Sequence, residues 1–411
     1  MWLVQWAATV GSLTVEDCYD NALEPLRFIP FRRSDVLRMC LAEERLDVDQ
    51  QAAFELGCAH INSVYRREFH QLRQQLKEAY APLDPDTDTR LVAGIGPDEV
   101  LPPLAQTIET VLERANYEKV TSAALQAAFD AASMFHVRLY VDMDDYEEVL
   151  LFYRGVSERH EKVKTWFGLA EKTVSFTNYD RVVLYLKFKE QFDQDSTLGR
   201  CRPGSTMLKL FQNVPGADLE MLFPNTRVGM RLLDKLLIGV PAVISGGIVF
   251  TTKLGATLVL LASLLGFWLG THSEPVTLDK RAALVLLAGV GAFGGYLWKQ
   301  YSSFRNRKLK YTQALTENLY FKLLDNNTGV LLRIIDDAED SECKESLLAD
   351  YFLLAVGGTS TAAELDAEIE DWFARRWECR LDFEIDDALG KLQQLGLATV
   401  EGDRWQACAP A

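Results

Sequence analysis

The sequence predicts an α+β membrane protein with an N-terminal domain of helices and antiparallel sheet, a transmembrane helical hairpin and a C-terminal winged-helix-like domain. Three observations carry this expectation. Apolar residues recur at helical spacing early in the chain, and period-2 alternation takes over after about residue 135. Two uncharged segments follow, 254–270 and 282–298, each near the length that a bilayer requires.

The helical part is clearest from Phe54. Phe54, Cys58, Ile61, Tyr65, Phe69, Leu72 and Leu76 are spaced by threes and fours, which puts one apolar stripe on one helix face. Ala81-Pro82 and the run DPDTDTR end that helix in a solvated loop, and shorter helices are expected near 98–115 and 121–132. HVRLYVD then alternates Val137, Leu139 and Val141 against polar neighbours. VLLFYRG and KTVSFTNYDRVVLYLKFKE extend the strand-like pattern, so a small antiparallel sheet is expected at about 135–190. Residues 201–252 carry Pro203, Pro215, Pro224 and Pro241 and are expected to link the sheet to the apolar region.

The two apolar segments, 17 residues each, would rise about 25 Å as helices. Flanking lysines and arginines can reach the interface and make up the difference. The charge bias predicts two crossings: Arg231, Lys235, Lys253, Lys299, Arg305, Arg307, Lys308 and Lys310 would lie at the inner membrane interface, with Lys280 and Arg281 in the outer loop. Pro241 and Gly246-Gly247 weaken 236–252 as a third span. Gly266 and Gly270, and Gly291 and Gly295, have the GxxxG spacing of closely packed helices.

After a basic helix over about 299–325, the C-terminal part is expected to form helix, helix, helix and hairpin. Leu347, Leu348, Tyr351, Phe352 and Ala355 share a face, and Thr361 with Glu364 fits a capping box. LDFEI precedes a last helix over 386–395, and LATVEGDRWQA forms the hairpin. The domains expected are thus 1–200, a linker and membrane-proximal segment 201–252, the hairpin 253–299, and 300–411.

Composition narrows the chemistry. The net charge of −16 opposes nucleic-acid binding, and residues 343–411 hold six Lys or Arg against 14 Asp or Glu. Seven cysteines without a CxxC pair argue against a zinc finger and against a disulfide framework. No basic residue precedes the apolar start MWLVQWAATV, so neither a signal peptide nor a mitochondrial presequence is expected. Gly289, Gly291 and Gly294 match GxGxxG but lack a preceding strand. The acidic run Asp142–Glu148 is expected to be a solvated hairpin turn, and no catalytic, cofactor-binding or metal-ligating set is identified.

RFIPFRRSDV, LKLFQNVPGADLEMLFPNTRVGMRLLDKLLIGVPA, NLYFKLLDNN, LLADYFLL and IDDALGKLQQLGL together resemble a family defined by a domain of unknown function, which includes the mitochondrial transmembrane protein 143 of animals and bacterial relatives. The resemblance covers about residues 25–400, and ADLEMLFPNTRV is its most specific part. It implies two membrane spans and no established catalysis, and it supplies no functional residues. The combined expectation is a multi-pass protein of a bacterial inner membrane, or alternatively of an organelle inner membrane. It would be a membrane-anchored interaction or scaffold protein with both soluble domains on the cytoplasmic side. Its partners would be the lipid bilayer and a protein or a second copy. The competing expectation is a homo-oligomeric channel or transporter subunit.

Overall fold

The computed structural model describes residues 24–89, 103–121, 125, 138–165, 170–191, 201–229 and 319–408, with scattered positions between 280 and 318. The helices begin with Arg33–Ala42 (α1) and the 33-residue Val48–Tyr80 (α2). α2 starts where Asp47 and Gln50 cap each other: Gln50 N donates to Asp47 Oδ1 at 2.8 Å and Asp47 N to Gln50 Oε1 at 2.9 Å. Its buried stripe contains Phe54, Cys58, Ile61, Tyr65, Phe69 and Leu76, as the spacing predicts, and adds Gly57 and Tyr80. Leu104–Arg114 (α3) follows, then the short strands Glu118–Lys119 (β1) and Arg138–Tyr140 (β2).

The long strands Tyr146–Thr165 (β3) and Ala170–Phe188 (β4) form an antiparallel hairpin, and Thr206–Pro215 (β5) pairs with β4. A 3-10 turn over Gly216–Leu222 leads to Arg227–Gly229 (β6). Leu323–Asn326 (β7) runs into Thr328–Val356 (α4). The chain closes with Thr359–Thr361 (β8), Ala362–Trp377 (α5), Ile385–Gln394 (α6), Ala398–Glu401 (β9) and Arg404–Ala407 (β10).

Two compact units result. The larger takes Met1–Ala131, Asp142–Asn225 and Phe321–Ala411, so the N-terminal and C-terminal stretches share one body. Its main sheet has the order β1-β3-β4-β5-β7, antiparallel throughout. Residues 206–215, expected in a linker, are therefore an interior strand. Leu150, Phe152, Val183, Tyr185, Leu208 and Leu210 face the helical core. On the opposite face Leu151, Val182, Leu184 and Phe211 are buried too, and the 3-10 turn adds buried Leu219, Met221 and Leu222. The ADLEMLFPN stretch is thus a plug against the sheet, and Asn225 ties it to Asp145, its Nδ2 donating to Oδ2 at 2.9 Å. The acidic run Asp142–Glu148 is not a hairpin turn: β2 pairs with β6, and β3 with β4. The smaller unit holds the β2–β6 ribbon.

The C-terminal end has helix–strand–helix–helix–hairpin order, with sheet order β8-β10-β9. That order resembles a winged helix whose first helix is the last part of α4. Thr361 Oγ1 accepts from Glu364 N at 3.3 Å and Glu364 Oε2 from Thr361 N at 2.9 Å, the reciprocal cap that the spacing predicts.

The membrane character expected from the sequence is corrected here. Among the described residues, no helix is long and apolar enough to cross a membrane. The transmembrane hairpin, and with it the multi-pass bacterial inner-membrane placement, is therefore unsupported. Span 254–270 and segment 236–252 lie outside the described residues, and of 282–298 only scattered positions are described. Apolar length, the bias of basic residues and the family resemblance carried that expectation. The helices here that have the length to span, α2 and α4, carry charged residues throughout and owe their length to packing on each other.

α2 and α4 lie antiparallel. Gln50 Nε2 donates to Leu354 O at 2.9 Å, Tyr65 and Ser346 hydroxyls meet at 3.0 Å, and Arg73 pairs with Asp336. Where they cross, Gly57 faces Asp350: an added Cβ would lie 2.6 Å from Asp350 Oδ2. Asp350 is 2% exposed, and its Oδ2 has no hydrogen-bond partner. Burial pushes its carboxyl up to about 7.

Below about pH 4 this group is protonated whether the chain is folded or not. As pH rises toward 7 the unfolded chain releases the proton and the native protein holds it, so stability falls by about 4 kcal/mol. The Asp350→Asn variant should lose this slope. Urea unfolding from pH 4 to 8 should show the variant gaining on the native protein as pH rises, and parallel curves would contradict a buried neutral carboxyl.

Candidate functional site

Residues Ser341 to Leu353 of α4 are buried on every side, although Glu342, Lys344, Glu345 and Asp350 are among them. Their partners come from distant parts of the chain. Lys344 Nζ donates to Ile29 O at 2.8 Å and Phe31 O at 3.2 Å, and pairs with Asp340 at 2.9 Å. Glu342 accepts from Arg114 Nε at 2.7 Å, and Arg114 also reaches Glu68 at 2.8 Å and lies 4.4 Å from the Phe69 ring centre. Glu345 accepts from Asn116 Nδ2 at 2.7 Å.

Glu342, Glu345 and Asp387 bring three carboxylates within reach of one point, the arrangement that a divalent cation uses. Here Lys391 supplies the cation. Its ammonium pairs with Glu342 and Asp387 and lies 3.6 Å from Glu345. Burial opposes the charge on Lys391, but Glu342, Glu345 and Asp387 outweigh it and hold the ammonium above its usual range. Burial lifts Glu345 to about 7, against the pull of Lys391 and Asn116. The cluster is an internal ion network joining α4 to α3 and α6. α6, the helix that a winged helix would offer to DNA, spends its one lysine inside it and carries Asp386 and Asp387 in its first turn.

A second arrangement lies in the sheet. Pairing of β5 with β4 stops at Asn178 opposite Pro215. Beyond it, Ser157–Thr165 and Ala170–Thr177 pair only with each other among the described residues. This two-stranded ribbon runs on for about 30 Å. Its connecting residues, Trp166-Phe167-Gly168-Leu169, lie outside the described residues. At its base Ser157 and Asn178 are buried, and Ser157 Oγ donates to Asp180 Oδ1 at 3.0 Å. Gly155, with φ 78°, leaves room for Asp180 where a Cβ would collide. Arg159 donates to Asn213 Oδ1 at 2.8 Å across the same region.

Of the basic residues expected at a membrane interface, Lys299 and Arg305 are exposed on helix, while Arg231, Lys235, Lys253, Arg307, Lys308 and Lys310 lie outside the described residues. Gly266 and Gly270 also lie outside them. At Gly291 and Gly295 an added Cβ would meet no described atom within 4 Å. Sequence reasoning missed both the ion network and the ribbon. Glu342, Glu345 and Lys391 have the composition of solvated helix faces. For the ribbon the available signal was length: β3 and β4 read as alternating segments but not as two strands outrunning their neighbours.

Replacing Lys391 by Met removes the cation from two buried carboxylates and should cost about 3–5 kcal/mol. The loss should be greater at pH 8 than at pH 5, where Glu345 is protonated. Urea denaturation at the two pH values measures it, and an equal, sub-1 kcal/mol effect at both would show that the network is not stabilising.

No solved structure matches this chain. Residues 179–329, from the middle of β4 to the start of α4, match the family described as "Protein of unknown function (DUF3754)".

Proposed function

We propose that this chain is an interaction protein that docks a protein partner through the β3–β4 ribbon. The supporting observation is the ribbon itself, two strands whose outer edges beyond Ser157 and Asn178 meet no other described strand. Unpaired edges present rows of N–H and C=O groups that an extended segment of another chain can complete. The rigid base at Gly155, Ser157, Asn178 and Asp180 fixes the ribbon to the sheet. A second copy of this chain would satisfy the same edges. The acidic C-terminal surface supports a protein partner over nucleic acid. We also infer the narrower kinship with the family that includes transmembrane protein 143. It rests in part on RFIPFRRSDV, LLADYFLL and IDDALGKLQQLGL, which lie outside the matched residues.

Replacing residues 158–177 by an Asn-Gly turn should leave the thermal midpoint within a few degrees, because the hydrophobic core is untouched. It should abolish crosslinks to the partner, or convert a dimer to a monomer if the partner is a second copy. Crosslinking with mass spectrometry and light scattering read the two outcomes. Unchanged partners and unchanged mass would overturn the proposal.

A further inference from the structure

Next to the ribbon base the sheet holds an unusual charge arrangement. Arg154 of β3 lies directly opposite Arg181 of β4. Like charges at facing positions of an antiparallel pair are destabilising. The same row continues to Gln212, the partner of Arg181 on β5. By strand alternation this row is on the face of Phe152, Val183 and Leu210, toward the helices. Arg333, exposed on α4 one turn before Asp337, brings a third guanidinium into electrostatic range of Arg181.

The acids nearby are already engaged. Asp337 Oδ2 accepts from Tyr117 at 3.1 Å and from Arg154 Nη2 at 3.2 Å. Asp180 accepts from Ser157. Arg154 is held in place by Ala115 O at 3.1 Å and by the rings of Phe28 and Tyr117, at 5.0 and 4.6 Å from its guanidinium carbon. Arg181 differs: it is half-buried and makes no hydrogen bond or ion pair with any described residue, and Arg333 makes none either. Burial, reinforced by Arg333 and Arg154, holds Arg181 below the usual guanidinium range against the opposing pull of Tyr117 and Asp337.

A half-buried guanidinium with five N–H donors and no acceptor among the described residues, opposite Arg154 and within electrostatic range of Arg333, is suited to an anion. We propose that Arg181 and Arg333, with the Gln212 amide beside them and Arg154 as a fixed positive wall, bind the phosphate group of a small phosphorylated compound. Phosphate fits better than carboxylate. Its oxygens can take the Arg181 fork, the Arg333 guanidinium and an amide N–H together, whereas a carboxylate offers two oxygens in one plane.

The test uses the full chain at fixed ionic strength, with inorganic phosphate, glycerol phosphate and acetate compared against chloride by calorimetric titration and thermal unfolding. Phosphate should bind and raise the midpoint. Arg181→Gln should weaken binding at least about tenfold and Arg333→Gln severalfold. In chloride Arg181→Gln should melt no lower than the native protein, because it removes a like-charge contact, so loss of binding would not be loss of fold. Binding of glycerol phosphate as well as phosphate would point to an esterified ligand, and binding of phosphate alone to the free ion, both in support. Equal phosphate binding by the native protein and both variants would overturn the proposal, as would an Arg181-dependent response to acetate that matches that to phosphate.

Discussion

Everything in the larger unit is arranged around one constraint: α4 is buried on every side through Ser341–Leu353, yet carries polar groups all around its circumference. A buried polar group without a partner costs roughly 1–3 kcal/mol, more if charged, so each one selects what may pack beside it. Lys344 requires the carbonyls of Ile29 and Phe31. Glu342 requires Arg114 and Lys391, Glu345 requires Asn116 and Lys391, and Ser346 requires Tyr65. The positions of the N-terminal segment, α2, α3 and α6 follow from these pairings as much as from apolar contact. Asp350 is the exception, lodged against Gly57 where the helices come closest.

Because the last part of α4 is also the first helix of the winged-helix-like end, that end is not an appendage. Leu26 pairs with Leu381 in a short parallel bridge, its N–H donating to Arg380 O at 2.9 Å and its carbonyl accepting from Asp382 N at 3.0 Å. At the other end of α4, Asn327 performs a similar task. Its N–H donates to Leu208 O at 2.8 Å and its side-chain oxygen accepts from Leu208 N at 3.0 Å, which extends the β5–β7 pairing into the helix start. Asn327 holds φ 47° and ψ −119° to do so, a positive-φ conformation outside the left-handed helical region. Thr328 and Asp84 lock the end of α2 to the same point at 2.9 Å, so the loop DPDTDTR is only partly the solvated segment its composition implies.

The sheet is where constraint gives way to availability. Inside β1-β3-β4-β5-β7, strands are paired and both faces carry buried residues. Past Asn178 pairing falls to two strands, and just before the ribbon base one row places Arg154, Arg181 and Gln212 side by side, followed by Val156, Tyr179 and Val214. Both candidate surfaces therefore lie near the end of the sheet where pairing falls from three strands to two.

The sequence by itself determined the local elements. The Phe54–Leu76 stripe, the Thr361–Glu364 cap, the change from period 3.6 to period 2 near residue 135 and the order of helices and hairpin at the C-terminus are all contained in neighbours three or four, or two, positions apart. Only the tertiary structure decided that 206–215 is an interior strand, since its flanking prolines and glycines resemble a linker when its pairing partners are unseen. The same holds for α4, whose acids and lysines have the composition of a solvated face. Their partners, Ile29, Tyr65, Arg114, Asn116 and Lys391, stand as far as three hundred positions away. Periodicity records which residues share a face, and burial of that face depends on residues the period cannot reach. For the same reason apolar length and charge bias, read locally, suggested a membrane hairpin that no described helix supports.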